Sequence, residues 1–216
     1  MLAGMRAITS ITIVSLAAWC AACGSVDPGF KGTITLDEAT SWTAVTGVSC
    51  KDANGYVGET SYFRAFRLAD YKIHGAFRVT GVSFAVSERV LGTAAVKFPI
   101  EISVHDYTGE VGSDTLDTGR MTLKKASTVD IMATTPTVMV VKYDQPMVAE
   151  VEEDAVVFKI HVPNYQAQMH KFFLAVSNQG ESQPSYSACG ASAPRTLTGL
   201  GIPQQYLLMS VTGESY

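Results

Sequence analysis

The sequence predicts an all-β fold, an antiparallel β-sandwich of jelly-roll-like or immunoglobulin-like topology. Three observations predict it. Short β-branched and aromatic runs recur from about residue 33 to the end, turn-forming clusters separate them, and no long stretch repeats its apolar residues at the helical period.

The elements follow in chain order. Residues 1–22 read as an export signal: Arg6 supplies the basic start, Ile8 to Trp19 an apolar stretch, and Cys20-Ala21-Ala22-Cys23-Gly24 a small-residue close. The stretch is shorter than the roughly 20 apolar residues a membrane span requires. Ala21 and Ala22 before Cys23 resemble the bacterial lipobox, with Cys20 where that motif prefers Leu. The resemblance implies that Cys23 becomes an acylated first residue, so the membrane is a partner through a lipid anchor. Gly24 and Ser25, with no Asp behind the cysteine, are compatible with sorting to a bacterial outer membrane; without acylation the chain is periplasmic or secreted. Residues 23–32, with Asp27-Pro28-Gly29 and Lys31-Gly32, form a tether, and residues 33–216 the sandwich domain.

Within the domain, Phe77 to Val86 shifts phase near Gly81, as a bulge or bend does. Val96 to His105 alternates apolar with polar, and Pro99 in the outward set places that strand near an edge or at a bulge. Val138 to Tyr143, Ala155 to Val162, Lys171 to Ser177 and Tyr206 to Thr212 are further strands. Asn54-Gly55, Thr108-Gly109, Asp117-Thr118-Gly119, Asp144-Gln145-Pro146, Pro163-Asn164 and Asn178-Gln179-Gly180 read as turns. Glu150 to Asp154 reads as the polar rim of a hairpin.

The formal net charge of −4 and the lack of any basic run longer than Lys124-Lys125 exclude nucleic acid as a partner. Two cysteines remain after the signal, Cys50 and Cys189. In an oxidising compartment an isolated pair most simply forms one disulfide, worth about 2–5 kcal/mol.

Ser61-Tyr62-Phe63-Arg64-Ala65-Phe66-Arg67-Leu68, Gly75-Ala76-Phe77-Arg78-Val79 and Val82-Ser83-Phe84-Ala85-Val86, with the later Pro184-Ser185-Tyr186-Ser187-Ala188-Cys189-Gly190, resemble a recurring module of secreted bacterial proteins. It is the β-sandwich domain found beside secreted peptidases and other enzymes, or ahead of surface-sorting segments. An early cysteine such as Cys50 belongs to the same pattern; Arg67 stands where the pattern carries an acidic residue. The resemblance covers roughly residues 41–213 and implies an accessory domain that binds or presents, not one that turns over a substrate.

The search for chemistry gives few candidates. G-x-S-x-G, H-E-x-x-H and S-x-x-K are absent. Asp52 and Asn54, in Asp52-Ala53-Asn54-Gly55, alternate oxygen ligands as a structural calcium site does, and Asp114 and Asp117 lie on another loop. Asn-Gly is also an ordinary turn sequence, which is the preferred reading. No other cofactor is indicated. Tyr62, Arg64 and Phe66 share one face of a strand, and Phe63, Ala65 and Arg67 the other. An exposed aromatic set could stack on sugar rings, which makes Tyr62, Arg64, Phe66 and Trp42 the ligand-binding candidates; the alternative is that one set fills the core and its arginine pairs with a carboxylate. His161 and His170 flank the loop 163–169 and could approach one another. The expectation is therefore a non-catalytic binding or presentation module of the cell envelope, with a glycan or envelope protein as ligand. The competitors are a secreted hydrolase drawing on His105, Asp106, His161 and His170, and a purely structural envelope protein.

Overall fold

The computed structural model describes residues 31–92, 97–132, 136–149 and 155–216. The export segment, Cys23 and the run Glu150 to Asp154 lie outside the described residues. The strands are β1 (Gly32–Asp37), β2 (Thr46–Val48), β3 (Thr60–Arg67), β4 (Phe77–Val90), β5 (Pro99–Tyr107), β6 (Met121–Asp130) and β7 (Thr137–Ala149). They continue with β8 (Ala155–Val162), β9 (Lys171–Ser177), β10 (Ser185–Cys189), β11 (Arg195–Thr196), β12 (Tyr206–Leu207) and β13 (Met209–Ser215).

They form two antiparallel sheets. The first runs β1-β13-β4-β9-β12, with β7 also on β4 and β2 also on β9; the second runs β11-β10-β3-β8-β5-β6. The chain crosses between the sheets at most connections, which is the jelly-roll-like of the two expected topologies. Alternation along each strand builds the core. Val156, Phe158, Ile160 and Val162 of β8 and Ile100, Ile102 and Val104 of β5 meet Val82, Phe84 and Val86 of β4 and Phe172, Leu174 and Val176 of β9. The Phe84 and Phe158 rings lie 6.2 Å apart across the sandwich, and Phe98 stacks on Phe172 at 5.4 Å. Each such fully buried side chain contributes about 1.5–3 kcal/mol.

The phase shift at Gly81 is a bulge: the β4–β13 and β4–β7 ladders both slip there. A Cβ on Gly81 would meet the Val141 carbonyl at 2.8 Å, so the residue is glycine because backbone passes over it. Asp144-Gln145-Pro146, expected as a turn, instead lies inside β7. Arg78 and Val79 pair with Val148 and Met147, whereas Gly81 pairs with Lys142, so the intervening residues bulge out opposite Thr80. Pro99 lies near an edge, as expected, though not on the edge strand itself. It is the first residue of β5, an interior strand between β8 and β6, where the missing N–H costs no ladder bond. The edge is β6, which buries none of its residues and is guarded by Lys124 and Lys125, the usual defence of an open edge. The Tyr206–Thr212 run is split at Leu208, where the chain leaves β9 and joins β4.

Two covalent or ionic ties close the structure. Cys50 and Cys189 form a disulfide with a Cα–Cα distance of 5.6 Å, joining the β2–β3 connection to the end of β10. Arg64 is wholly buried and ion-paired with Glu181; it also donates to Ser185 Oγ (2.6 Å), the Gln183 carbonyl (3.1 Å) and the Leu207 carbonyl (3.0 Å).

Candidate functional site

The outer face of the second sheet is divided along its strands. Cross-strand ladders place Ala188, Ser61, His161 and Glu101 in one row across β10, β3, β8 and β5, and Tyr186, Phe63, Lys159 and Ser103 in the next. Beyond these rows, the loop that follows β5 folds back over the sheet. Val111 and Leu116 drop onto Phe63, Ala65, Val157 and Tyr186 and close a second, smaller apolar cluster. This cover is pinned by hydrogen bonds: the Gly112 N–H to Tyr186 Oη (3.3 Å), the Asp117 N–H to Tyr107 Oη (3.3 Å), Arg67 Nη2 to the Val111 carbonyl (3.0 Å) and the Leu116 N–H to the Pro194 carbonyl (3.2 Å).

Where the cover ends, a groove of about 450 Å³ opens. Its floor is Ser61, Phe63, Lys159 and His161, with Glu59 and Thr118 at the rim. Its wall is the turn 190–194, which is itself built on Cys189. The Gly190 N–H donates to the Glu59 carbonyl at 2.9 Å, and Ser192 Oγ donates to the Cys189 carbonyl at 2.8 Å. The disulfide thus fastens the wall to the β2–β3 connection.

The floor is polar and positioned. Ser61 Oγ and His161 Nδ1 are hydrogen-bonded at 3.1 Å, which fixes the ring and leaves Nε2 without a protein partner among the described residues. Lys159 Nζ sits 5.7 Å from the centre of the Phe63 ring, a cation–π contact. Next along β5, His105 Nε2 and Ser103 Oγ share a bond of 2.9 Å; burial, and secondarily the positive charge of Lys159, push the His105 imidazole down to about 4, so it is neutral at pH 7. Ser61 beside His161 is not arranged as a nucleophile: its hydroxyl meets Nδ1, the nitrogen that an orienting carboxylate holds in a catalytic triad, and no carboxylate is bonded to His161 among the described residues. The lining offers donors and acceptors at fixed positions.

The residues singled out from sequence fall elsewhere. Tyr62, Arg64 and Phe66 point inward and are completely buried, which corrects their assignment to a ligand-binding face. The alternation holds, but this set packs in the core, and its arginine finds Glu181. Tyr62 Oη donates to the Val48 carbonyl (2.8 Å). Trp42 lies in the β1–β2 connection, half-buried over Ala85, Ala175 and Leu208, and its indole N–H is bonded to Asp37, so it offers no free platform. Asp52 is occupied by its own turn: Oδ1 accepts from the Asn54 and Tyr56 N–H groups, both at 2.9 Å, and Gly55 has a φ of +82°. Asp117 caps a 3-10 turn through Gly119. Among the described residues no three His, Cys, Asp or Glu side chains come together as a metal site.

The four suspected hydrolytic residues are not gathered. His161 pairs with Glu101 and His105 with Val157, which separates them by four residues, about 13 Å along the sheet. Asp106 is ion-paired with Lys124, and His170 is buried against Phe98 and Tyr165 with its Nδ1 accepting from the Gly92 N–H at 2.9 Å. His161 therefore does not meet His170.

No protein-family model matches the chain, and no curated protein sequence matches it either. Among solved structures, a variant of the clostridial cysteine protease Cwp84 after propeptide cleavage matches with a TM-score of 0.55 at 9% identity, over 85% of this chain and 40% of that one. A second structure, of the cysteine protease and lectin-like domains of Cwp84, a surface layer associated protein of Clostridium difficile, matches with a TM-score of 0.48 at 10% identity, over 74% of this chain and 33% of that one. The likeness is one of fold. The chain spans well under half the length of these proteins.

Sequence reasoning names His161 as a partner for His170 and as a hydrolase suspect, and does not single out Ser61, Lys159 or the 190–194 turn as site residues. The outward parity of Ser61, Lys159 and His161 is readable from the alternation of β3 and β8. Which part of the outer face stays open depends on the β5–β6 loop, and nothing in the alternation reports where that loop lies.

Proposed function

We propose that this protein is a non-catalytic binding module of the bacterial cell envelope, and that the groove over β3, β8 and β10 takes a glycan. The groove itself carries the reading. It is concave, about 450 Å³, and lined by hydroxyl, imidazole, ammonium, carboxylate and backbone groups beside the Phe63 ring. None of the exposed large apolar side chains among the described residues lines it, whereas protein-binding patches are centred on such side chains. The fold shared with Cwp84 is compatible with this role.

Display at the envelope follows from the export signal and from acylation at Cys23. The Cys23→Ser variant is expected to leave the membrane fraction; continued retention contradicts the anchor. The binding reading is tested on a glycan array with the mature domain and an Ala191→Trp variant, which fills the groove from its exposed wall. The wild type is expected to bind a subset of glycans, and the variant to lose at least tenfold in affinity at an unchanged melting temperature. Equal binding by both proteins, or no glycan bound by the wild type, contradicts the reading.

A further inference from the structure

We propose that Lys159 makes the groove selective for acidic glycans, its ammonium pairing with the carboxylate of a uronic-acid residue. The inference rests on the groove being the glycan site and names the class of sugar it takes.

Lys159 stands at the centre of the floor, with Phe63 on one flank and Ser103 on the other, and it is only partly exposed. Its one contact is with the Phe63 ring, and it makes no ion pair among the described residues. Lys124 of this sheet is ion-paired with Asp106, and Lys97, just before β5, with Asp130 at 3.7 Å, whereas Lys125, like Lys159, meets an aromatic ring, that of Tyr143 at 5.9 Å. Ser61, Phe63, Ser103 and Ala188 around Lys159 carry no charge. Of the carboxylates near it, Glu101 sits on the diagonal, opposite His161, and Glu59 lies in the groove lining, and neither is ion-paired with Lys159. His105 is held neutral partly by Lys159 itself. A half-buried cation with no ion-pair partner is unfavourable in the empty groove, and a ligand carboxylate in contact with it offsets that cost on binding. The hydroxyl of Thr118 and the free Nε2 of His161 lie in the same lining and supply hydrogen bonds to sugar hydroxyls beside the ionic contact.

The test compares tetragalacturonate and tetramannuronate with their methyl esters, which keep the sugar and remove the charge, by calorimetry at low and moderate salt. The wild type is expected to bind at least one acid tenfold or more tightly than its ester, with the difference shrinking as salt rises. Lys159→Met is expected to bind acid and ester alike, at the wild-type ester's affinity, with its melting temperature unchanged. Acid and ester bound equally by the wild type would overturn the selectivity while leaving the groove as a glycan site. A preference that persists in Lys159→Met would overturn the role of this lysine. Binding of oligoglutamate as tightly as the uronates would overturn the glycan class in favour of an acidic peptide. Binding of neither acids nor esters would overturn the selectivity, and a blank glycan array beside it would overturn the groove reading as well.

Discussion

The two halves of the second sheet's outer face are made by the same strands with the same alternation, yet one is a packed layer and the other an open groove. In the covered half, Phe63, Ala65, Val157 and Tyr186 lie under Val111 and Leu116. In the open half, Ser61, Lys159 and His161 take the equivalent outward positions with no loop above them. The residues match their cover: mostly apolar where the loop descends, polar where it stops. A binding surface on a sandwich is thus defined as much by where the covering loop ends as by which residues face outward.

The largest effects are expected where both halves share a support. Arg64→Met strands Glu181 and removes four donations from one buried guanidinium. It should cost about 3–5 kcal/mol by urea unfolding, and most of that should return in Arg64→Met with Glu181→Gln. A loss under 1 kcal/mol would show that the network is not a support. Reducing the disulfide, or replacing both Cys50 and Cys189 by Ala, should cost about 2–4 kcal/mol in the chain-entropy view. It should also loosen the 190–194 wall; an unchanged melting temperature under reducing conditions would remove the disulfide from the account.

The contrast between the halves is sharper in single truncations. Leu116→Ala in the cover should cost about 2 kcal/mol, whereas Thr118→Ala, two residues on at the groove rim, should stay within about 0.5 kcal/mol. Equal losses at the two sites would erase the division. The smallest effect is a pH dependence. The folded His105 pKa lies below the unfolded value near 6.5, so between about pH 6.5 and 4 the unfolded chain binds a proton that the folded one refuses. Stability from this residue is therefore full above pH 6.5 and declines as pH falls towards 4. Burial moves His170 in the same direction. Urea midpoints at pH 7.0 and 4.5 should differ less in His105→Asn than in the wild type, and an identical pH slope would contradict the shift.

Much of the fold was legible because β8, β9 and β4 carry their core in their alternation, and Gly81 announced its bulge. The exposed edge β6 was not, since Met121-Thr122-Leu123-Lys124-Lys125-Ala126-Ser127 buries almost nothing and is held to β5 by its backbone ladder and the Lys124–Asp106 ion pair. Asp144-Gln145-Pro146 has the composition of a turn, and only the partner strand shows it absorbed as a bulge. The cysteine pair was readable from its isolation. The site was readable in parity but not in location. Tyr62, Arg64 and Phe66 drew attention as aromatics with a cation, which is also what a core strand with one internal ion pair contains. Ser61, Phe63, Lys159 and His161 acquire meaning only from long-range neighbours: the disulfide-held turn and the end of the covering loop.

The most direct test is an NMR titration of the 15N-labelled domain with an array-positive oligosaccharide, following the backbone amides. Saturable shifts are expected at Ser61, Phe63, Lys159, His161 and residues 190–193, with the depression around Gly47 and Phe173 on the opposite sheet unmoved. Shifts confined to Gly47, Lys51 and Phe173, with the groove silent, would contradict the groove as the binding site.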